Sequence, residues 1–312
     1  MSRFEFHNGL YLPVVDEIFL YIDDGGLKPM NFEGYSALLI DKSSCEELKA
    51  NLEGLYQREG VSELHSHTVK GRNLQKYARV YGAAFKILLE ILQTTPFRHL
   101  VFEMGSGTAT GAIKDDIDAQ FKKVFDKISN SNIITQHPSI YSHLIFPVNN
   151  VLSRITKCDE SIKIHLIIDG KYDFKTIGQE QFFLGGQLFD GERALLMTVN
   201  AYLGNNLKNG CSLHSINIVK SAKYPVLQIV DGVANFGFNY IKATLRGSGK
   251  ASPKEEMKHR VFGDFLLAAN INLAGLDSMI KEKFVLRGEK IVYLSDQDII
   301  SIEIVPPAQT AS

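Results

Sequence analysis

Four carboxylates in this chain fall where elements of a folded core would end. Asp23 closes the apolar run Glu17-Ile18-Phe19-Leu20-Tyr21-Ile22, and Asp169 closes Ile162-Lys163-Ile164-His165-Leu166-Ile167-Ile168. Glu63 sits in the short segment Val61-Ser62-Glu63-Leu64-His65. Asp231 lies within Val226-Leu227-Gln228-Ile229-Val230-Asp231-Gly232-Val233-Ala234. A carboxylate inside an apolar helical run must be paired or must face a site. Converging on one spot, the four would offer hard oxygen ligands to Mg²⁺ or Mn²⁺. Two such ions about 4 Å apart would clamp the attacking and leaving oxygens of a phosphodiester. The chemistry this predicts is two-metal hydrolysis. Asp23-Asp24-Gly25-Gly26 and Asp169-Gly170 are also ordinary turn composition, so each of those two signals taken singly reads as a turn.

Other motifs compete. His65 and His67 stand two apart, on one face if the segment is a strand, and could share a metal. Leu64-His65-Ser66-His67-Thr68 resembles the opening motif of the polymerase-and-histidinol-phosphatase phosphoesterases. That family also needs a downstream Asp-His pair, which this chain lacks. The other readings of the pair are polar residues at a strand end, or a place for His65 beside Glu63 as a proton shuttle. Gly105 to Gly111 is a glycine- and threonine-rich loop without a phosphate-binding Gly-x-x-x-x-Gly-Lys pattern, and reads as a surface loop or a flap. Lys70, Arg72, Lys76 and Arg79 follow Glu63 and could meet phosphates, with a solvated surface as the default reading. Lys242, Arg246, Lys250, Lys254, Lys258, His259 and Arg260 form a second basic set, which reads as a solvated surface. There is no Gly-x-Ser-x-Gly elbow.

Several elements must position these groups. The spacing predicts a hairpin of 17–22 and 32–40 around the 23–26 turn. A helix follows, capped by Ser43 or Ser44 with Glu46 or Glu47 and running to about Gln57. Residues 61–65 read as a short strand. Leu74, Tyr77, Ala78, Tyr81, Ala84, Phe85, Leu88 and Leu92 form a helical stripe within 71–94. Further strands are predicted at 99–103, 162–168, 194–199 and 213–219. Helices are predicted at 115–128, 139–155, 225–245 and 254–283, and two strands at 284–305. The order gives a mixed α/β fold.

Composition sets the outer limits. The chain has 312 residues, 45% hydrophobic and 22% charged, which suffices for a sizeable core. With 34 basic and 35 acidic residues the net charge is -1, so no global basic coat is present, although a local groove remains open. Cys45, Cys158 and Cys211 are far apart in sequence and give neither a disulfide framework nor a metal knuckle. The first residues lack the apolar core of a signal peptide, and no run approaches the ~18 apolar residues of a membrane helix. The expectation is a cytoplasmic protein without membrane contact.

Four segments carry a resemblance. Tyr21-Ile22-Asp23-Asp24-Gly25-Gly26, Glu63-Leu64-His65, Ile167-Ile168-Asp169-Gly170 and Leu227-Gln228-Ile229-Val230-Asp231-Gly232-Val233-Ala234 follow one another as in the domain-of-unknown-function 3800 proteins. These are RNase H-like proteins found beside prokaryotic mobile-element and defence genes. The chain departs from them at Asp24, where they have Glu, and at Gly170, where they have a second acid that Asp173 could replace. The resemblance implies an RNase H-like mixed sheet flanked by helices over 1–245, with a helical insertion at about 112–158. Residues 246–312 would add a C-terminal helix and hairpin packed on the same domain. It also implies a nuclease whose site is Asp23, Glu63, Asp169 and Asp231, loaded with two Mg²⁺ or Mn²⁺ ions. Asp24, His65 and Asp173 would be accessory, and Lys70, Arg72 and Lys76 would contact nucleic acid. The alternative reading is an inactive RNase H-like module that binds nucleic acid or a partner protein. The 115–155 and 254–305 regions leave room for a protein partner or a second copy.

Overall fold

The computed structural model describes residues 5–6, 16–24, 32–65, 69, 71–94, 98–106, 144–159, 161–170, 181–184, 187–247, 251–287, 290–294 and 299–304. Its strands are β1 (Glu5–Phe6), β2 (Glu17–Asp24), β3 (Phe32–Asp41), β4 (Arg98–Ser106), β5 (Ile155–Lys157), β6 (Lys163–Asp169), β7 (Gln181–Leu184), β8 (Gln187–Asp190), β9 (Leu213–Val219), β10 (Phe284–Arg287), β11 (Lys290–Tyr293) and β12 (Ile299–Ile304). Its helices are α1 (Lys42–Glu59), α2 (Leu74–Thr94), α3 (Phe146–Ser153), α4 (Gly191–Asn206), α5 (Pro225–Arg246), α6 (Pro253–Ala268) and α7 (Leu273–Lys283). Among the described residues no helix is long and apolar enough to cross a membrane.

Six strands form one mixed sheet in the order β12-β4-β3-β2-β6-β9. β12, β4, β3 and β2 pair antiparallel, and β6 and β9 run parallel to β2. The two-residue period of a strand sends alternate side chains to opposite faces. Ile18, Leu20 and Ile22 of β2 and Ile164, Leu166 and Ile168 of β6 enter a core that also holds Val148 and Val151 of α3 and Val199 of α4. Tyr21 and Ile167 enter the other core, built with residues of α1, α2, α5, α6 and α7. Asp23 and Asp169 each lie two residues beyond, and so belong to this second face.

α5 crosses that face as the central helix, apolar on nearly all sides. Two glycines let it lie close. A Cβ on Gly237 would stand 2.7 Å from the Phe102 ring, and one on Gly34 would stand 2.7 Å from Phe238 Cζ.

Several predicted elements are corrected. Residues 194–199 belong to helix α4 rather than to a strand. Asp190 caps α4 through the Arg193 amide at 2.8 Å, and Ala194, Leu195, Thr198, Val199, Tyr202 and Leu203 are buried at helical spacing. The α1 cap is Asp41, the last residue of β3, which accepts from the Ser44 amide at 3.0 Å. Strand and helix abut without a loop, so the cap falls earlier than the predicted serines. Residues 61–65 form no strand. The predicted 254–283 helix breaks in two at Asn270, whose φ is 61°, and Asn272 caps α7. The C-terminal region forms the β10–β11 hairpin and also supplies β12 to the edge of the main sheet. The predicted helix at 115–128 and the first residues of that at 139–155 lie outside the described residues.

Candidate active site

The sheet places two of the carboxylates side by side. Ile22 opposite Ile168 is the last matched pair of the parallel strands β2 and β6, and Asp23 and Asp169 come next on each. Asp23 is buried, at 3% exposure. Across the antiparallel pair it faces Ser36 of β3. The Ser36 hydroxyl donates to the Val230 carbonyl of α5 at 2.5 Å. That bond fixes the sheet against the residue preceding Asp231.

His65 links the remaining groups. Its Nδ1 lies 3.8 Å from Asp231 Oδ2, and its Nε2 lies 3.8 Å from Glu63 Oε2. The same Nε2 stands 3.5 Å from Ser221 Oγ. Ser221 in turn donates its backbone N–H to Asp169 Oδ1 at 3.1 Å. Glu63, His65, Asp231, Ser221 and Asp169 thus form one connected polar chain at the C-terminal ends of β2 and β6.

A buried glutamine holds this chain in place. Gln228, one turn before Asp231 on α5, is 1% exposed. Its Oε1 accepts from the Leu64 amide at 2.8 Å, and its Nε2 donates to the Ser221 carbonyl at 2.9 Å. Segment 63–65 has no regular structure, and this bond supplies a backbone partner that a strand would otherwise give.

Two further groups border Asp231. Tyr81 of α2 packs on the same stretch of α5, 3.1 Å from where a Cβ on Gly232 would sit. Burial raises its phenol well above the usual range, and the Asp231 charge adds to the rise. Lys258 of α6 is buried and donates from Nζ to Asn235 Oδ1, one turn beyond Asp231. Burial pushes its ammonium down to about 8, Lys254 pushes the same way, and the negative charge of Asp231 opposes them.

The structure therefore joins Glu63, His65 and Asp231 directly, and Asp169 through Ser221. Asp23 is placed beside Asp169 by register. Among the described residues no three His, Cys, Asp or Glu side chains are arranged, as they stand, to hold one metal ion. Arg72 is exposed on the turn before α2. Lys76 is committed elsewhere, donating to the Gly60 carbonyl at 3.2 Å, and Arg79 pairs with Glu59. The second basic set is not a solvated surface throughout. Lys258 is buried, and Lys242 and Arg246 both pair with Glu255. Lys70, Lys250, His67 and Asp173 lie outside the described residues, as does the Asp24 side chain.

Ser36, Gln228 and Ser221 are the members that sequence reasoning missed, and Lys258 is one that it placed on a solvated surface. Gln228 carried the same signal as Asp231, a lone polar group in an apolar helical run. Ser36 carried it within a strand. Nothing in the local sequence marks Ser221. The chain matches no family model, and no curated protein or solved structure matches it.

Proposed function

We propose that this protein is a metal-dependent phosphodiesterase acting on nucleic acid, on an RNase H-like fold. The observation that carries the reading is the placement of Asp23 and Asp169 at the ends of adjacent parallel strands, on the face crossed by the helix that bears Asp231. The fold reading is supported by the strand order, in which an antiparallel β4-β3-β2 meander continues into parallel β6 and β9. Ligands in sheets of this kind gather beyond the carboxyl ends of the parallel strands.

The donor set suits hard divalent cations, because carboxylate oxygens prefer them to soft metals. Asp23, Asp169 and Asp231 would hold the ions, and Glu63 would complete their shell. Bound there, Mg²⁺ or Mn²⁺ would polarise a phosphodiester and supply a nucleophilic water. Such an ion would compete with the His65 imidazole for Asp231 and Glu63. His65 faces two carboxylates and the Ser221 hydroxyl, so it can hold a proton at either ring nitrogen and pass it to a leaving oxygen. Gln228 keeps His65 in reach of both carboxylates. Arg72 stands at the entry to α2 as a contact for the phosphate backbone.

A second reading, an inert RNase H-like module that binds nucleic acid or a partner protein, is favoured by one observation. His65 stands between Glu63 and Asp231, 3.8 Å from each, and so occupies space between two of the carboxylates that a cation would need. Labelled single- and double-stranded DNA and RNA, incubated with the protein in Mn²⁺, separate the two. The nuclease reading expects cleavage by wild type, lost in Asp23→Asn, Asp169→Asn and Asp231→Asn. Binding of a strand without cleavage, unchanged in all three variants, favours the inert module.

A further inference from the structure

We infer that Cys158 and Cys211 form an oxidisable dithiol that closes to a disulfide on exchange with a low-molecular-weight disulfide, bracing strand β9 against β6. The two cysteines are far apart in the chain, yet the fold brings their backbones together and buries both side chains in the same core. Both are buried. One residue, Asn209, holds their backbones together. Its carbonyl accepts from the Cys158 amide at 2.8 Å, and its Oδ1 accepts from the Cys211 amide at 3.0 Å. Its side-chain amide donates to the carbonyls of Leu152 and Ile155, both at 2.7 Å. Gly210 has a φ of 79°, and a Cβ there would come within 2.8 Å of the Cys158 carbonyl oxygen. The two segments are therefore pressed together, and a side chain at 210 would part them.

The pair sits just ahead of the two parallel strands. Cys158 precedes β6 and Cys211 precedes β9, at the end of the sheet opposite Asp169. Among the described residues β9 is the edge of the main sheet and pairs there with β6 alone. A covalent link at its entry would tie it to the segment that leads into β6, so the pairing would no longer rest on backbone hydrogen bonds alone. Small reagents have a route in, because Lys157, Gly210 and Ser212 beside the thiols are exposed and short loops open locally.

The exchange balances in two steps. The Cys158 thiolate, its proton released to solvent, attacks one sulfur of the small disulfide. That S–S bond breaks, and one small thiolate leaves and takes up a proton. The Cys211 thiolate, formed the same way, then attacks the Cys158 sulfur of the mixed disulfide and expels the second small thiol. The protein dithiol loses two electrons and two protons, and the small disulfide becomes two thiols.

Cys45 is an internal control. It is buried on the other face of the sheet, in contact with the Tyr21 hydroxyl at 3.2 Å. The folded protein is incubated with oxidised glutathione, alkylated under denaturing conditions, and mapped without reduction. The expected map shows a Cys158–Cys211 linked peptide and alkylated Cys45. The oxidised protein should melt about 5–10 °C higher, since closing a loop of about 50 residues restricts the unfolded chain. Amide exchange in β9 should slow about tenfold or more. Cys211→Ser should stop at a single glutathione adduct on Cys158. Three alkylated cysteines after prolonged incubation, or links that include Cys45, would overturn the inference, and both are read on wild type without a variant.

Discussion

Gln228→Met tests how the 63–65 segment of the candidate site is held. Methionine fills nearly the same volume, so little cavity is created. Two buried hydrogen bonds are lost, one from the Leu64 amide at 2.8 Å and one to the Ser221 carbonyl at 2.9 Å. Each buried group left unsatisfied costs about 1–3 kcal/mol, so the variant should lose about 3 kcal/mol. For a chain of this size that lowers Tm by roughly 4–6 °C. Thermal unfolding followed by circular dichroism gives the total. Hydrogen exchange locates it, because the Leu64 amide should exchange faster while the amides of β2 and β3 exchange as in wild type. A variant within about 0.5 kcal/mol of wild type, with Leu64 protection unchanged, would refute the reasoning, since two unsatisfied buried groups have no other way to cost so little.

Further predictions follow from the same packing. Gly237→Ala drives a methyl into the Phe102 ring, and should destabilise by about 1–3 kcal/mol on urea unfolding, with Phe102→Leu in the same chain restoring part of the loss. Asp41→Ala removes the α1 cap and should cost about 1 kcal/mol by the same assay. Lys258 releases its proton near pH 8 in the folded chain and near 10.5 in the unfolded one. Between those values the unfolded state binds more protons, so stability gains up to about 3 kcal/mol as pH rises through that window, and below it the full cost of burying the ammonium is present. Lys258→Met should therefore be more stable than wild type near pH 7, with the difference shrinking toward pH 10. Guanidinium unfolding at four pH values checks this, and a difference that stays constant with pH counts against the buried cation.

Much of this arrangement was legible in the sequence, for identifiable reasons. β2, β6, β9, α2 and α5 were legible because their apolar periods are long and unambiguous. α4 was misread because Ala194 to Val199 is too short a window to separate a buried strand from one face of a helix. The split between α6 and α7 was missed because a non-glycine residue, Asn270, takes the left-handed conformation, and composition does not mark it. Within the site, Asp231 and Asp23 were visible as charges bounding or interrupting apolar runs. The wedge of His65 between Glu63 and Asp231 was not. It depends on α5, more than 150 residues away, bonding the backbone of Leu64, and no local pattern encodes that contact. The basic residues were misjudged for a related reason. Lys76, Arg246 and Lys258 find carbonyl, carboxylate and amide partners inside the fold, so a count of charges along the chain overstates what faces a phosphate.

Titration of the apoprotein with Mn²⁺ by isothermal calorimetry tests the central claim most directly, since it needs no knowledge of the substrate. The account predicts saturable binding by wild type that Asp23→Asn, Asp169→Asn and Asp231→Asn each weaken at least tenfold, with all three variants still folded by circular dichroism. No binding by wild type, or binding that all three variants retain, would contradict it.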